Sequence, residues 1–310
     1  MNKHQLIILE QAYRATHAAA HTRTTLAGCD IGVLVALAGA ASGVAGGCVA
    51  GTVAQRPSVY GATSHTLSVA CGRLSHLLGL HGPCLTVDTA CSAALTALVL
   101  SCGTLRQREC STAVTCAAGL LLDVEGQVGT SVAGMLSPAG RCHTFDGRAD
   151  GYCRAEGAVA GVCDAEQGGV LLLGLAAQQD GASASLTAPN GGSQRRLLRA
   201  VCEMAEASAQ EPNAAEAHGT GTALGDPIEI GSMADALCSG RPDSVGLWVG
   251  AAKASAGHLE NTAGGAGMVA AVEAVLQRSG AVASAQLRRL NARLAQPTAG
   301  KATAADRNLH

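Results

Sequence analysis

Aromatic side chains are almost missing: 310 residues hold one phenylalanine, Phe145, one tryptophan, Trp248, and three tyrosines. The stacking platforms that hold single-stranded nucleic acid have little to be built from. Charge of one sign is also lacking, with 21 Lys and Arg against 23 Asp and Glu. No basic field gathers phosphates, so nucleic acid is not the expected partner. Thirteen cysteines are present, yet none stands in a C-x-x-C pair, their spacing fits no metal site, and their odd number fits no closed disulfide framework. The first twenty residues show no secretory leader. These features predict a reducing, cytoplasmic setting, no bound metal, and cysteines that serve mostly as small buried apolar residues. A Gly-x-Ser-x-Gly elbow, a His-Glu-x-x-His helix, a phosphate-loop motif and a dinucleotide fingerprint are all absent.

What is present is small and apolar. Hydrophobic residues make up 48% of the chain and glycine alone contributes 40 positions, which favours closely packed layers of helix and sheet over a leucine-rich bundle. Residues 31–54 carry no charge and are long enough to span a bilayer. Six glycines among them favour a buried strand at Ile31–Leu37 followed by a glycine-rich loop.

Periodicity predicts a first helix over Gln5–Ala20, with Leu6, Leu9 and Tyr13 on its apolar face. A helix over Leu67–Leu78 and a short strand at Leu85–Val87 follow. An alanine-rich helix then opens at Cys91, and a strand covers Ala113–Ala117. The charged stretch Leu136–Arg154 reads as surface loop. After Gly168-Gly169 the pattern restarts with a strand at Val170–Leu175, a helix at Ser193–Ala207, and a weak strand before His218. A helix near Pro227, a strand at Val245–Ala251 and a helix at Ala263–Gln277 complete the series. Alternating strands and helices predict βαβ units and a largely parallel sheet in each of two similar halves.

Three residues stand where such folds carry chemistry. Cys91 lies at a strand-to-helix corner, where the helix dipole favours a thiolate; a buried structural cysteine is the plainer reading. His218 opens His218-Gly219-Thr220-Gly221-Thr222, in which glycines admit a ligand to the backbone and threonines offer hydroxyls, although a histidine beside a tight turn needs no ligand. His258 follows Lys253-Ala254-Ser255-Ala256-Gly257, again between a strand and a helix.

Taken together, Val87-Asp88-Thr89-Ala90-Cys91-Ser92, Glu216 to Pro227 and Lys253 to Glu260 resemble the three signatures of ketosynthases of the polyketide synthase type. The segments 134–146, 149–152 and 186–191 are similar to the central loops of the same family, in the family's order. The resemblance implies an α/β, thiolase-like fold layered α-β-α-β-α, a homodimer, and two halves at residues 1–165 and 166–295 before a disordered tail at 296–310. It implies a nucleophile in Cys91, oxyanion donors in His218 and His258, a charge-balancing Lys253, and a pantetheine contact at Thr220 and Thr222. The implied reaction is decarboxylative Claisen condensation of an acyl group on Cys91 with a malonyl unit. Substrates would ride on the phosphopantetheine of an acyl carrier protein, with no permanently bound cofactor and no membrane span. The alternative is an impaired ketosynthase-like protein that binds a carrier or sister subunit without turnover.

Several family features depart. The opening strand is not found before Gln5, and neither a Gly-Phe-Gly-Gly loop nor a closing strand is recognised after Val282. The segment Ala158–Gln179 is short, and Lys253-Ala254-Ser255-Ala256 replaces the usual Lys-Thr-Asn-Ile type of run. The resemblance therefore implies an incomplete fold whose 310 residues supply one oxyanion amide, that of Cys91, and condense substrates slowly when alone.

Overall fold

A computed structural model describes residues 1–38, 63–64, 66–122, 124–166, 169–185, 187–242, 244–280, 284–295 and 302–304. The chain divides into two compact units. One comprises Met1–Gly129, Ala155–Gly168 and Leu259–Gly265; the other comprises Thr130–Arg154, Gly169–His258 and Ala266–His310.

The first unit is built on a four-stranded sheet of β1 (Gly32–Ala36), β2 (Cys84–Val87), β3 (Thr112–Gly119) and β4 (Gly157–Asp164), in the order β2-β1-β3-β4. β1 runs parallel to β2 and β3, and β4 runs antiparallel to β3 along its whole length. Both faces of β1 are covered. Val33 and Val35 join Ile8, Ala12 and Leu74 in one core, while Leu34 and Ala36 join Ala93, Ala94 and Ala97 in another. This explains why β1 reads as an unbroken apolar run instead of an alternating one.

The first core lies against α1 (Lys3–Ala18) and α3 (Leu67–Leu78), beyond a single capped turn, α2 (Arg23–Leu26). Asn2 caps α1 by accepting from the His4 amide, and Gly79, in the left-handed region at φ +71°, ends α3. The second core lies against α4 (Ala93–Arg106). The face of α1 that packs is Gln5, Ile8, Ala12 and Thr16; of the expected face Leu9 packs against the core, while Leu6 and Tyr13 are exposed. Four consecutive apolar residues, Leu6 to Leu9, fit two helical registers, and period alone does not choose between them. Gln5 is tolerated inside because its amide donates to the Thr63 carbonyl and its oxygen accepts from Arg73.

The second unit holds a parallel sheet of β5 (Ala214–Glu216), β6 (Leu247–Gly250) and β7 (Ala302–Ala304), with β6 in the centre. α6 (Gly191–Met204), capped by Asn190, packs on α7 (Gly225–Leu237). The core gathers Phe145, Ala217, Ile230, Met233, Leu247, Val249 and Leu294. Shorter helices are α8 (Lys253–Ala256) and α10 (Ala292–Ala295). Two further helices, α5 (Val124–Val132) and α9 (Ala263–Leu276), cross the division between the units.

Three expectations are corrected. Val170–Leu175 forms no strand, and Leu171, Leu172 and Leu173 are exposed; a run of leucines broken by Gly174 does not by itself make a strand. The strand of this region is β4, which overlaps the segment read as shortened and adds one antiparallel strand to an otherwise parallel sheet, in keeping with a largely parallel one. The stretch 136–154 is not plain surface loop: Cys142, His143, Thr144, Phe145 and Asp146 within it are all buried. Among the described cysteines, Cys71, Cys110, Cys116, Cys142 and Cys238 are buried and the other seven are partly exposed. Of the uncharged stretch 31–54, the first part is β1 and residues 39–54 lie outside the described residues. Leu186 and positions 296–301 and 305–310 also lie outside them, whereas Ala302–Ala304, in the tail expected to be disordered and to lack a closing strand, forms β7 against β6. No described helix is long and apolar enough to cross a membrane.

Candidate active site

In the second unit, parallel pairing sets Ala215 beside Val249 and Glu216 beside Gly250, so β5 and β6 end level with each other. The residues that leave these ends emerge at one edge of the sheet, where α/β folds place their ligands. His218 follows β5, and Lys253 opens α8 just beyond β6. Gly257, at φ +79°, turns the chain out of α8 and delivers His258. The His258 amide donates to the Cys153 carbonyl at 2.8 Å, and its ring lies over Tyr152 with centroids 4.7 Å apart. The rings of His218 and His258 stand edge to face, 5.8 Å apart at 89°. His258 and Lys253 are buried, whereas His218 keeps an exposed edge.

Two carboxylates to which the sequence alone assigned no role hold this loop. Asp226 and Glu229, three apart on α7, share a helix face. Glu229 accepts the His218 amide at 2.6 Å and the Gly219 amide at 2.9 Å. Asp226 accepts the amides of Phe145, Gly221 and Thr222 at 2.8, 3.0 and 3.3 Å. Thr144 donates to the Gly219 carbonyl at 2.6 Å. Their signal in the sequence was acidic residues inside an otherwise apolar helix. Gly219 is required here: its φ is +46°, and a Cβ would stand 2.5 Å from that of Ala251. Thr220 and Thr222 bring their hydroxyls within 3.3 Å of each other, and the Thr222 hydroxyl also accepts the Gly225 amide.

Electrostatics centre on Lys253. Burial pushes the carboxyls of Glu216, Asp226 and Glu229 upward, and backbone N–H donors and the Lys253 charge pull each of them back. Glu216 also accepts the Ala252 amide at 2.6 Å, which fixes the turn leading to Lys253. His218 is pushed down to about 3 by the protein packed around it, by Lys253 and by His258. Its ring is therefore neutral near pH 7, a donor at one nitrogen and an acceptor at the other.

In the first unit, Cys91 is the middle residue of a single 3₁₀ turn, Ala90–Ser92, between β2 and α4. The turn is strained at Ala90, whose φ is +51°. The Asp88 carboxylate accepts the Ala90 amide at 3.1 Å, and the Ser92 hydroxyl donates to the Thr89 carbonyl at 2.8 Å. Cys91 is half-buried, directly ahead of the first turn of α4. A second turn of the same kind, Glu260–Thr262, starts at φ +53° and leads into α9, as Ala90–Ser92 leads into α4. Asn261 in that turn donates to the carbonyls of Ala36 and Ala118, the ends of β1 and β3. Gly264 lets the two turns approach: a Cβ there would meet Leu95 Cγ at 2.8 Å. Of the residues singled out in the sequence, His218, Thr220, Thr222, Lys253 and His258 thus lie in one unit and Cys91 in the other.

Residues 1–167 match the family profile described as "Beta-ketoacyl synthase, N-terminal domain", and residues 170–284 match "Beta-ketoacyl synthase, C-terminal domain". A phenolphthiocerol/phthiocerol polyketide synthase of Mycobacterium tuberculosis is 40% identical over 288 residues, which are 89% of this chain and 13% of that protein. Polyketide synthase GfsB of Streptomyces halstedii is 39% identical over 286 residues, 89% of this chain and 5% of that protein. The chain thus spans a small part of the length of these relatives. Among solved structures, the ketosynthase from module 6 of the Bacillus subtilis bacillaene synthase superposes with a TM-score of 0.81 at 28% identity, covering 94% of this chain and 51% of that one. An oxazolomycin ketosynthase domain of Streptomyces albus gives 0.83 at 28% identity, with 97% and 52% covered.

Proposed function

Because the chain belongs to the beta-ketoacyl synthase family, in its polyketide synthase branch and with its thiolase-like fold, we propose that it joins acyl units by decarboxylative condensation. The observation that carries this reading is the His218 ring set edge to face with the buried His258, close to a buried Lys253. Cys91 is the nucleophile. Its sulfur attacks an acyl thioester, the pantetheine thiolate leaves, and the acyl group becomes a thioester of the protein. A malonyl thioester then loses carbon dioxide, and the electron pair of the broken C–C bond becomes an enolate. His218 and His258 donate hydrogen bonds to the enolate oxygen, and the enolate carbon attacks the acyl carbonyl and releases the Cys91 thiolate.

Lys253 offsets the charge of the surrounding carboxylates, and the hydroxyls of Thr220 and Thr222 meet the pantetheine arm. The substrates are acyl and malonyl thioesters carried on the phosphopantetheine of an acyl carrier protein. A homodimer in the cytoplasm completes the reading. A carrier-binding protein without turnover is not favoured, since Cys91, His218, Lys253 and His258 all stand in place.

The half-reactions separate the roles. Enolate charge arises only after loading, so His258→Ala lowers malonyl decarboxylation by about 10²- to 10³-fold, as loss of an oxyanion donor does, and leaves acyl loading nearly intact. A folded variant that decarboxylates normally and fails to load overturns the assignment.

A further inference from the structure

Within the second unit, the stretch that ends at Arg154 brings two thiols together. Cys142 and Cys153 place their sulfurs 3.9 Å apart. The Cys153 amide donates to the Cys142 sulfur at 3.3 Å, and the Cys142 thiol points at the Cys153 carbonyl at 3.8 Å. A disulfide needs its sulfurs about 2.0 Å apart, and rotation about the Cα–Cβ bonds is the motion that closes sulfurs already in van der Waals contact. Cys142 is buried and Cys153 is half-buried, so an oxidant reaches the pair from the Cys153 side.

We propose that Cys142 and Cys153 form a reversible disulfide, a redox modification site that closes the loop carrying Phe145 and Asp146. In the first step the Cys153 thiolate attacks a small-molecule disulfide, R–S–S–R, forming a Cys153–S–S–R mixed disulfide and releasing RS⁻. In the second, the Cys142 thiol passes its proton to the released RS⁻ and its sulfur attacks that of Cys153, expelling a second RS⁻ that water protonates. The protein gives up two electrons, the small disulfide is reduced, and two thiols RSH are the products.

The order of attack follows from the surroundings. Burial and the neighbouring Cys153 push the Cys142 thiol up to about 12, so it resolves the mixed disulfide instead of starting the exchange. The Lys253 charge acts on the Cys142 sulfur and steadies the anion formed in that step. Because the Cys153 carbonyl accepts the His258 amide, the cross-link sits one residue link away from the candidate active site.

The test is direct and does not depend on catalysis. The folded 310-residue chain is incubated with oxidised glutathione, remaining thiols are blocked, and peptides are mapped by mass. The expected product has lost about 2 Da, contains a peptide joining Cys142 to Cys153, and recovers the mass on reduction with dithiothreitol. Cys142→Ala and Cys153→Ala each abolish that peptide, and where either variant fails to fold, the mapping of the unsubstituted chain decides alone. Oxidation that leaves both thiols open to alkylation, or a glutathione adduct on Cys153 that never resolves, overturns the proposal.

Discussion

At the scale of single residues, the chemistry depends on which groups carry charge. His218 has the clearest signature, because its surroundings hold it at about 3 against 6.5 for a free side chain. A base whose folded value lies below its unfolded one takes up protons on unfolding, so its contribution to stability is whole above pH 6.5 and is lost as pH falls from there toward about 3. Nuclear magnetic resonance of the ring at pH 5 should find it neutral; a ring titrating near 6.5 would show that Lys253 and the packed loop do not act on it. His218, His258 and Cys91 stood out in the sequence because glycines and small residues around each mark a backbone open to a ligand. Glu229 was not legible. Its role depends on where α7 points relative to a loop, and that is fixed by the packing of α7 in the second unit's core.

At the scale of elements, the site rests on strand ends held by carboxylates from a helix. Glu229→Gln preserves shape but presents an NH₂ group to one of the two amides, His218 or Gly219, that the carboxylate now accepts. Leaving such a donor unpaired costs about 1–3 kcal/mol, read as a lower denaturation midpoint together with slower decarboxylation. Unchanged stability would mean that the His218 loop holds its own shape. Most long helices were read to within a turn, α3 and α9 within a residue at either end, while α5 had no counterpart in the sequence reading. Strands were read less well. β4 owes its existence to antiparallel pairing with β3 along the whole element, from Thr112 opposite Asp164 to Gly119 opposite Gly157, and no local pattern states that. The leucine-rich run at 171–173 carried the stronger apolar signal and remained exposed.

At the scale of the whole chain, the twin turns at Ala90–Ser92 and Glu260–Thr262, each leading into a long helix, are the visible trace of two similar halves. The first supplies a thiol, Cys91, where the second supplies Asn261, which braces the ends of β1 and β3. Fold and family were legible because separated motifs kept their order from Val87 to Glu260, which constrains the topology far more than any one motif does. The position of the sheet edges was not, since strand order is decided by contacts distant in sequence. The central claim is that Cys91 accepts the acyl group, and mass mapping after incubation with an acyl thioester tests it most directly. Cys102, lowered to about 7 by a hydrogen bond from Cys163, is the thiol most able to compete, so the map must resolve both sites. The account predicts an acyl adduct on Cys91 that is absent from Cys91→Ala and is discharged by a malonyl thioester with release of carbon dioxide. A folded protein that stays unmodified at Cys91, or is acylated at Cys102 alone, would contradict it.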